Sequence, residues 1–140
     1  MIHKMILLGM CVPVLMMLGC SGGSGIPVVA VKGKIKFAAG AAPAPVAIHF
    51  VPLETENSLP KIPGKAVIAE DGSFYVVTEQ AGNGLIPGKY VVNIECWKQA
   101  PTMQAPGGVS HLPPSFKTPE LIVKAGSAAM EFNIDVPATP

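Results

Sequence analysis

An all-β fold, with seven strands in two packed antiparallel sheets, follows from three features of this 140-residue sequence. Apolar and polar residues alternate with a period of two along most of the chain after residue 27, the pattern of half-buried strands. Gly and Pro, 15 of each, interrupt these runs at short intervals. No helix-period run follows the N-terminal segment, so packed sheets are the natural way to bury the apolar faces.

The first strand is expected over residues 28–37, where Val29, Val31, Gly33, Ile35 and Phe37 alternate with Ala30 and a row of lysines, Lys32, Lys34 and Lys36. Residues 38–45 form a Gly/Ala/Pro connection. Val46, Ile48 and Phe50 mark a second strand ended by Pro52, and residues 53–64 read as a loop. Residues 65–70 and 73–79 flank Asp71-Gly72, a strong hairpin signal because glycine accepts the positive φ of the turn. Ile86-Pro87-Gly88 reads as a further turn before the alternating run Tyr90, Val92, Ile94, Cys96. Residues 98–119 hold no periodic run and read as one long loop. Residues 121–124 form a short strand, Ala125-Gly126-Ser127 a turn, and residues 130–136 the last strand. The expected core draws on Val31, Ile35, Phe37, Val46, Ile48, Phe50, Ile68, Phe74, Val76, Tyr90, Val92, Ile94, Phe132 and Ile134. At about 1.5–3 kcal/mol for each fully buried large side chain, such a core offsets chain entropy without a disulfide.

The N-terminus reads as an address and an anchor. Lys4 precedes residues 5–19, which carry no charge and are short for a spanning helix but suited to a secretory signal. This segment ends Met17-Leu18-Gly19-Cys20 and is followed by Ser21-Gly22-Gly23-Ser24-Gly25. The order resembles a lipoprotein signal: small Gly19 admits a peptidase, the Cys20 thiol takes diacylglycerol, and a palmitate-type acyl chain completes the anchor. Several chains on one cysteine anchor stably where one is marginal. The expected organisation is a signal peptide over 1–19, acylated Cys20 and a tether over 20–27, a β domain over 28–136 and a tail over 137–140. As a flexible coil, the tether residues 21–27 would span about 15 Å. The expected location is the cell envelope, lipid-anchored and facing the periplasm or in the outer membrane, as Ser21 would specify under enterobacterial sorting rules. Cys11 would leave with the signal, so Cys96 alone would keep a thiol.

Several residues together resemble a known family. They are Gly33-Lys34-Ile35, residues 46–52 (VAIHFVP), 69–74 (AEDGSF), 84–92 (GLIPGKYVV), 112–116 (LPPSF) and 121–126 (LIVKAG). The set is similar to the carboxypeptidase regulatory-like, or transthyretin-like, domain of small lipoproteins from planctomycete-type bacteria. The resemblance spans residues 30–136. It implies a seven-stranded Greek-key sandwich and no catalytic residues, since in zinc carboxypeptidases this domain accompanies a separate catalytic one. The alanine-rich stretch Ala38–Ala44 departs from the family's more polar connection.

The residues themselves point away from catalysis. All ten basic residues are lysine and the net charge is +1, which disfavours nucleic-acid recognition. His49, His111 and Cys96 lack metal-ligand spacing, so neither a metal nor another cofactor is expected. Cys96 falls on the face of Tyr90, Val92 and Ile94 and is expected to be buried and inert. Ser110-His111 is an adjacent pair without a third orienting group. Asp71 is explained by its turn, and Glu54 and Glu56 supply too few oxygens for calcium. The 98–119 loop is the expected interaction surface, with Trp97, Met103 and Phe116 as its apolar contacts, while Leu112 and Phe116 also suit a fold-back over the sheet edge. The expected function is a non-enzymatic, lipid-anchored envelope protein with a structural or protein-interaction role. The alternatives are a small-ligand or carbohydrate-binding module, or an accessory subunit of a secreted enzyme or transporter. Expected partners are the membrane, through the lipid, and an envelope protein.

Overall fold

A computed structural model describes residues 25–40 and 45–138. They hold ten strands, one short 3-10 turn (Glu56–Ser58) and no α-helix. The strands are β1 Val31–Phe37, β2 Val46–Thr55, β3 Gly64–Ile68, β4 Ser73–Thr78, β5 Gly82–Asn83, β6 Gly88–Gln99, β7 Val109–Ser110, β8 Glu120–Val123, β9 Met130–Glu131 and β10 Ile134–Val136. The all-β class is therefore as the alternation predicts. Hydrogen bonding links the strands into one curled, mixed sheet in the order β10-β1-β4-β3-β2-β6-β7, with β9 beside β1, β5 beside β4 and β8 beside β6.

The expectation of seven antiparallel strands needs correction on two counts. First, β1 runs parallel to both β9 and β10, pairing Val31 with Met130 and Ile35 with Ile134. Second, several runs are divided. The expected strand over 130–136 breaks at Phe132 and Asn133, because Asn133 turns its side-chain oxygen to the Lys34 N–H at 3.0 Å, where a strand would present backbone. The expected loop over 98–119 contains β7, and β6 itself continues to Gln99. The second strand runs past Pro52 to Thr55 because a bulge between Pro52 and Glu54 absorbs the irregularity.

The Asp71-Gly72 hairpin forms, with a three-residue loop rather than a two-residue one. The Ala69 N–H donates to the Ser73 carbonyl at 2.8 Å, and the Gly72 N–H to the Ala69 carbonyl at 3.0 Å. Gly72 takes φ 83°, so this is a type I turn closed by a left-handed residue, the G1-bulge arrangement. Asp71 accepts from the Ser73 N–H at 3.0 Å and from the Ser73 hydroxyl at 2.5 Å, and these bonds lower its pKa.

The core lies inside the curl. Val31, Ile35, Ile48, Phe50, Phe74, Val76, Tyr90, Val92 and Ile134 are buried as the alternation predicts, and Phe37, Val46, Ile68, Ile94 and Phe132 pack around them half-buried. Phe50 of β2 meets Phe74 of β4 and Phe132 of the β9–β10 link with ring centroids at 6.5 and 6.3 Å, an aromatic centre within the curl. Gly33 occupies an inward position of β1 because the Phe132 carbonyl crosses there: a Cβ would stand 1.8 Å from that oxygen. Between β2 and β3 only two rungs join, His49 with Lys65 and Phe50 with Gly64.

The segment 84–88 is not the surface turn that Ile86-Pro87-Gly88 suggests. All five residues are buried. They form a strap from β5 to β6 across the core, and each carbonyl that enters it finds a donor. The Thr78 hydroxyl holds Gly84 at 2.7 Å, the Val29 N–H holds Leu85 at 2.8 Å, the Tyr90 hydroxyl holds Ile86 at 2.7 Å, and the Glu56 N–H holds Pro87 at 3.0 Å. Such satisfaction lets a connecting segment lie inside the protein.

Candidate functional site

Strand β6 carries two different neighbours on one edge. Its first half pairs with β8, from Gly88 with Val123 to Val91 with Glu120, and the Val92 N–H reaches the Pro119 carbonyl at 3.0 Å. Its far end pairs with β7, Trp97 opposite Ser110, and the Cys96 carbonyl accepts from the His111 N–H at 2.7 Å. Between these ladders, residues 93–95 of β6 face residues 112–118. The register therefore cannot continue, and the surplus chain is thrown outward as a loop. That loop closes on itself: the Phe116 N–H donates to the Pro113 carbonyl at 2.9 Å, and the Leu112 N–H to the Ser110 hydroxyl at 3.0 Å.

Alternation fixes which β6 groups face this gap. Because Val92 and Cys96 direct their backbone groups toward β8 and β7, Ile94 directs its N–H and C=O the same way. Among the described residues neither group has a hydrogen-bond partner. The Val92 carbonyl faces Pro119, which has no N–H to donate. The result is an open cleft of about 300 Å³ lined by Asn93, Ile94, Glu95, Leu112, Pro113, Phe116 and Thr118. Leu112 and Phe116 pack half-buried against the core and form the apolar part of the cleft wall. Asn93, Glu95 and Thr118 are exposed at its rim.

The three expected contact residues occupy different settings. Trp97 lies half-buried on β6, on the face opposite buried Cys96. Met103 stands at the tip of the β6–β7 hairpin with 98% of its surface exposed. The tip is closed by paired bonds between Thr102 and Ala105, at 3.0 and 3.2 Å. Phe116 belongs to the cleft wall. Its fold-back with Leu112 over the edge is the arrangement the sequence suggested as an alternative to an exposed patch. Cys20, the signal residues 1–19 and most of the tether lie outside the described residues.

The residues considered for chemistry are placed as follows. Cys96 is buried, and burial pushes its thiol pKa up, away from the reactive thiolate. The Ser110 hydroxyl donates to the Cys96 carbonyl at 3.2 Å and accepts from Leu112, which makes it a turn residue. His49 sits on β2 between Lys65 and Asn93 of the neighbouring strands. No group of three or more His, Cys, Asp or Glu side chains able to hold a metal ion occurs among the described residues. A second cleft, about 470 Å³, lies beside Asp71-Gly72 and is lined by Lys34, Lys36, Phe37 and Gly40 among others. Gly40 is followed in the chain by residues 41–44, which lie outside the described residues.

Sequence reasoning singled out the 98–119 loop but missed the cleft. A signal was present: Pro113, Pro114 and Pro119 lack the N–H that a continuous ladder partner for β6 would need. Comparison with family models, with curated proteins and with solved structures finds no match to this chain.

Proposed function

We propose that this chain is a non-enzymatic, lipid-anchored protein of the cell envelope that presents the β6 edge as an interaction surface. The observation that carries the reading is Met17-Leu18-Gly19-Cys20 at the end of fifteen uncharged residues, followed at once by a Ser/Gly tether. Acylated Cys20 would hold the β domain close to the lipid. The finer fold assignment belongs to the same proposal: a Greek-key sandwich of the carboxypeptidase regulatory-like kind. Support comes from the narrow two-rung junction of β2 with β3 and from the aromatic contacts of Phe50 across the curl, both of which suit a sheet divided into two facing portions. The non-enzymatic reading is supported by Cys96 buried with a raised pKa and by Ser110 engaged with main chain.

Mass spectrometry of the mature N-terminus, with membrane fractionation of wild type and Cys20→Ala, tests the anchor. The expected result is a lipid-modified Cys20 and loss of membrane partition in the variant. A Cys20→Ala protein of unchanged mass that still partitions with membranes overturns it. Turnover in a hydrolase-substrate screen, abolished by His111→Ala, would overturn the non-enzymatic reading.

A further inference from the structure

We infer that the cleft beside Ile94 binds the main chain of an extended peptide, one residue of which completes the interrupted ladder of β6. The inference rests on the interaction role proposed above and names the chemistry of the partner.

Ile94 offers one N–H donor and one C=O acceptor to the gap, as a strand residue offers them to a paired neighbour. The chain's own continuation cannot use them, because residues 112–118 loop out and close on the Pro113–Phe116 turn. An extended peptide supplies the complementary pair from a single residue, its N–H to the Ile94 carbonyl and its C=O to the Ile94 N–H. This is strand addition limited to a short window, since β7 and β8 block the edge on either side. The window also sets the side-chain preference. The peptide residue opposite Ile94 shares its face, against Leu112 and Phe116, and must be small and apolar. Its two neighbours share the outward face with Asn93 and Glu95. The exposed Glu95 carboxylate favours a basic residue there, and among the described residues no cationic side chain lines the cleft. A cleft of about 300 Å³ accommodates a small residue and parts of its neighbours.

The test uses the full chain, ¹⁵N-labelled in detergent micelles, titrated with acetyl-Lys-Ala-Lys-amide while the Ile94 amide resonance is followed. The expected result is a saturable shift of that resonance, half-complete in the millimolar range, with the resonances of the buried strap unmoved. The same peptide N-methylated at its alanine lacks the donor to the Ile94 carbonyl and is expected to bind about tenfold more weakly, the cost of one such bond. Equal binding of the N-methylated peptide, or no change at Ile94 up to the solubility limit, overturns the proposal. So does an Ile94 shift that follows protein concentration alone, which would make a second copy the occupant. The titration repeated on Cys20→Ala separates this proposal from the anchor: that variant is expected to keep the peptide shift whether or not it partitions with membranes.

Discussion

Two connections in this molecule look alike in sequence and behave in opposite ways. Residues 84–88 and 111–119 are both rich in Gly, Pro or Ser; the first joins β5 to β6 and the second β7 to β8. The first runs buried across the core, with each carbonyl from Gly84 to Pro87 held by a donor. The second stays outside, closes on itself, and leaves the peptide groups of Ile94 open. Composition does not separate them. What separates them is whether distant residues supply donors: Val29, Glu56, Thr78 and Tyr90 for the strap, none for the Ile94 edge.

The sharpest break of this comparison is Leu85→Ala set against Leu112→Ala. Leu85 is fully buried in the strap, so its truncation is expected to cost about 2–5 kcal/mol in urea denaturation, while half-buried Leu112 should lose well under half of that. Equal losses would show that the edge loop is as integral as the strap.

Tyr90→Phe removes the hydroxyl that holds the Ile86 carbonyl and is expected to cost about 1–3 kcal/mol at neutral pH. It also carries a pH signature. Burial pushes the Tyr90 pKa up to about 12, so the folded protein keeps this proton where the unfolded chain, titrating near 10.0, has lost it. Its contribution is complete below pH 10 and is lost between pH 10 and 12, by roughly 2–3 kcal/mol. The difference in stability between wild type and Tyr90→Phe should therefore shrink over that range, measured by denaturation at each pH.

Hydrogen exchange sharpens the contrast without mutation. The Leu85 N–H, bonded to the Val29 carbonyl at 2.9 Å, should be among the most protected amides, and Ile94 should exchange far faster than its β6 neighbour Val92. Protection of Ile94 equal to that of Val92 would mean the gap is closed in solution. The smallest effect is expected at Gly107→Ala, where an added Cβ meets nothing within 4 Å and φ is ordinary. Stability should change by no more than about 0.5 kcal/mol.

The sequence made much of the fold legible, because period-two alternation is a local signal. Val31, Ile35, Ile48, Phe50, Phe74, Val76, Tyr90, Val92 and Ile134 all lie buried where their runs place them. Val29, Leu85, Ile86, Leu121, Val123 and Val136 are equally buried and were not anticipated as core. Their burial depends on partners far along the chain, such as the bridge between Val29 and Leu85, which no local pattern encodes. The parallel partners of β1 were hidden for the same reason. At the candidate site, Leu112 and Phe116 were legible as apolar loop residues. The open groups of Ile94 were not, because they arise from the mismatch between two registers on one edge.

The parallel pairing of Ile35 with Ile134 has a consequence for how the molecule comes into being. The first long strand of the described chain waits for the final one, so the closing contact forms only after nearly everything between has been made. Topologies dominated by such distant pairings fold on the millisecond-to-second scale rather than in microseconds.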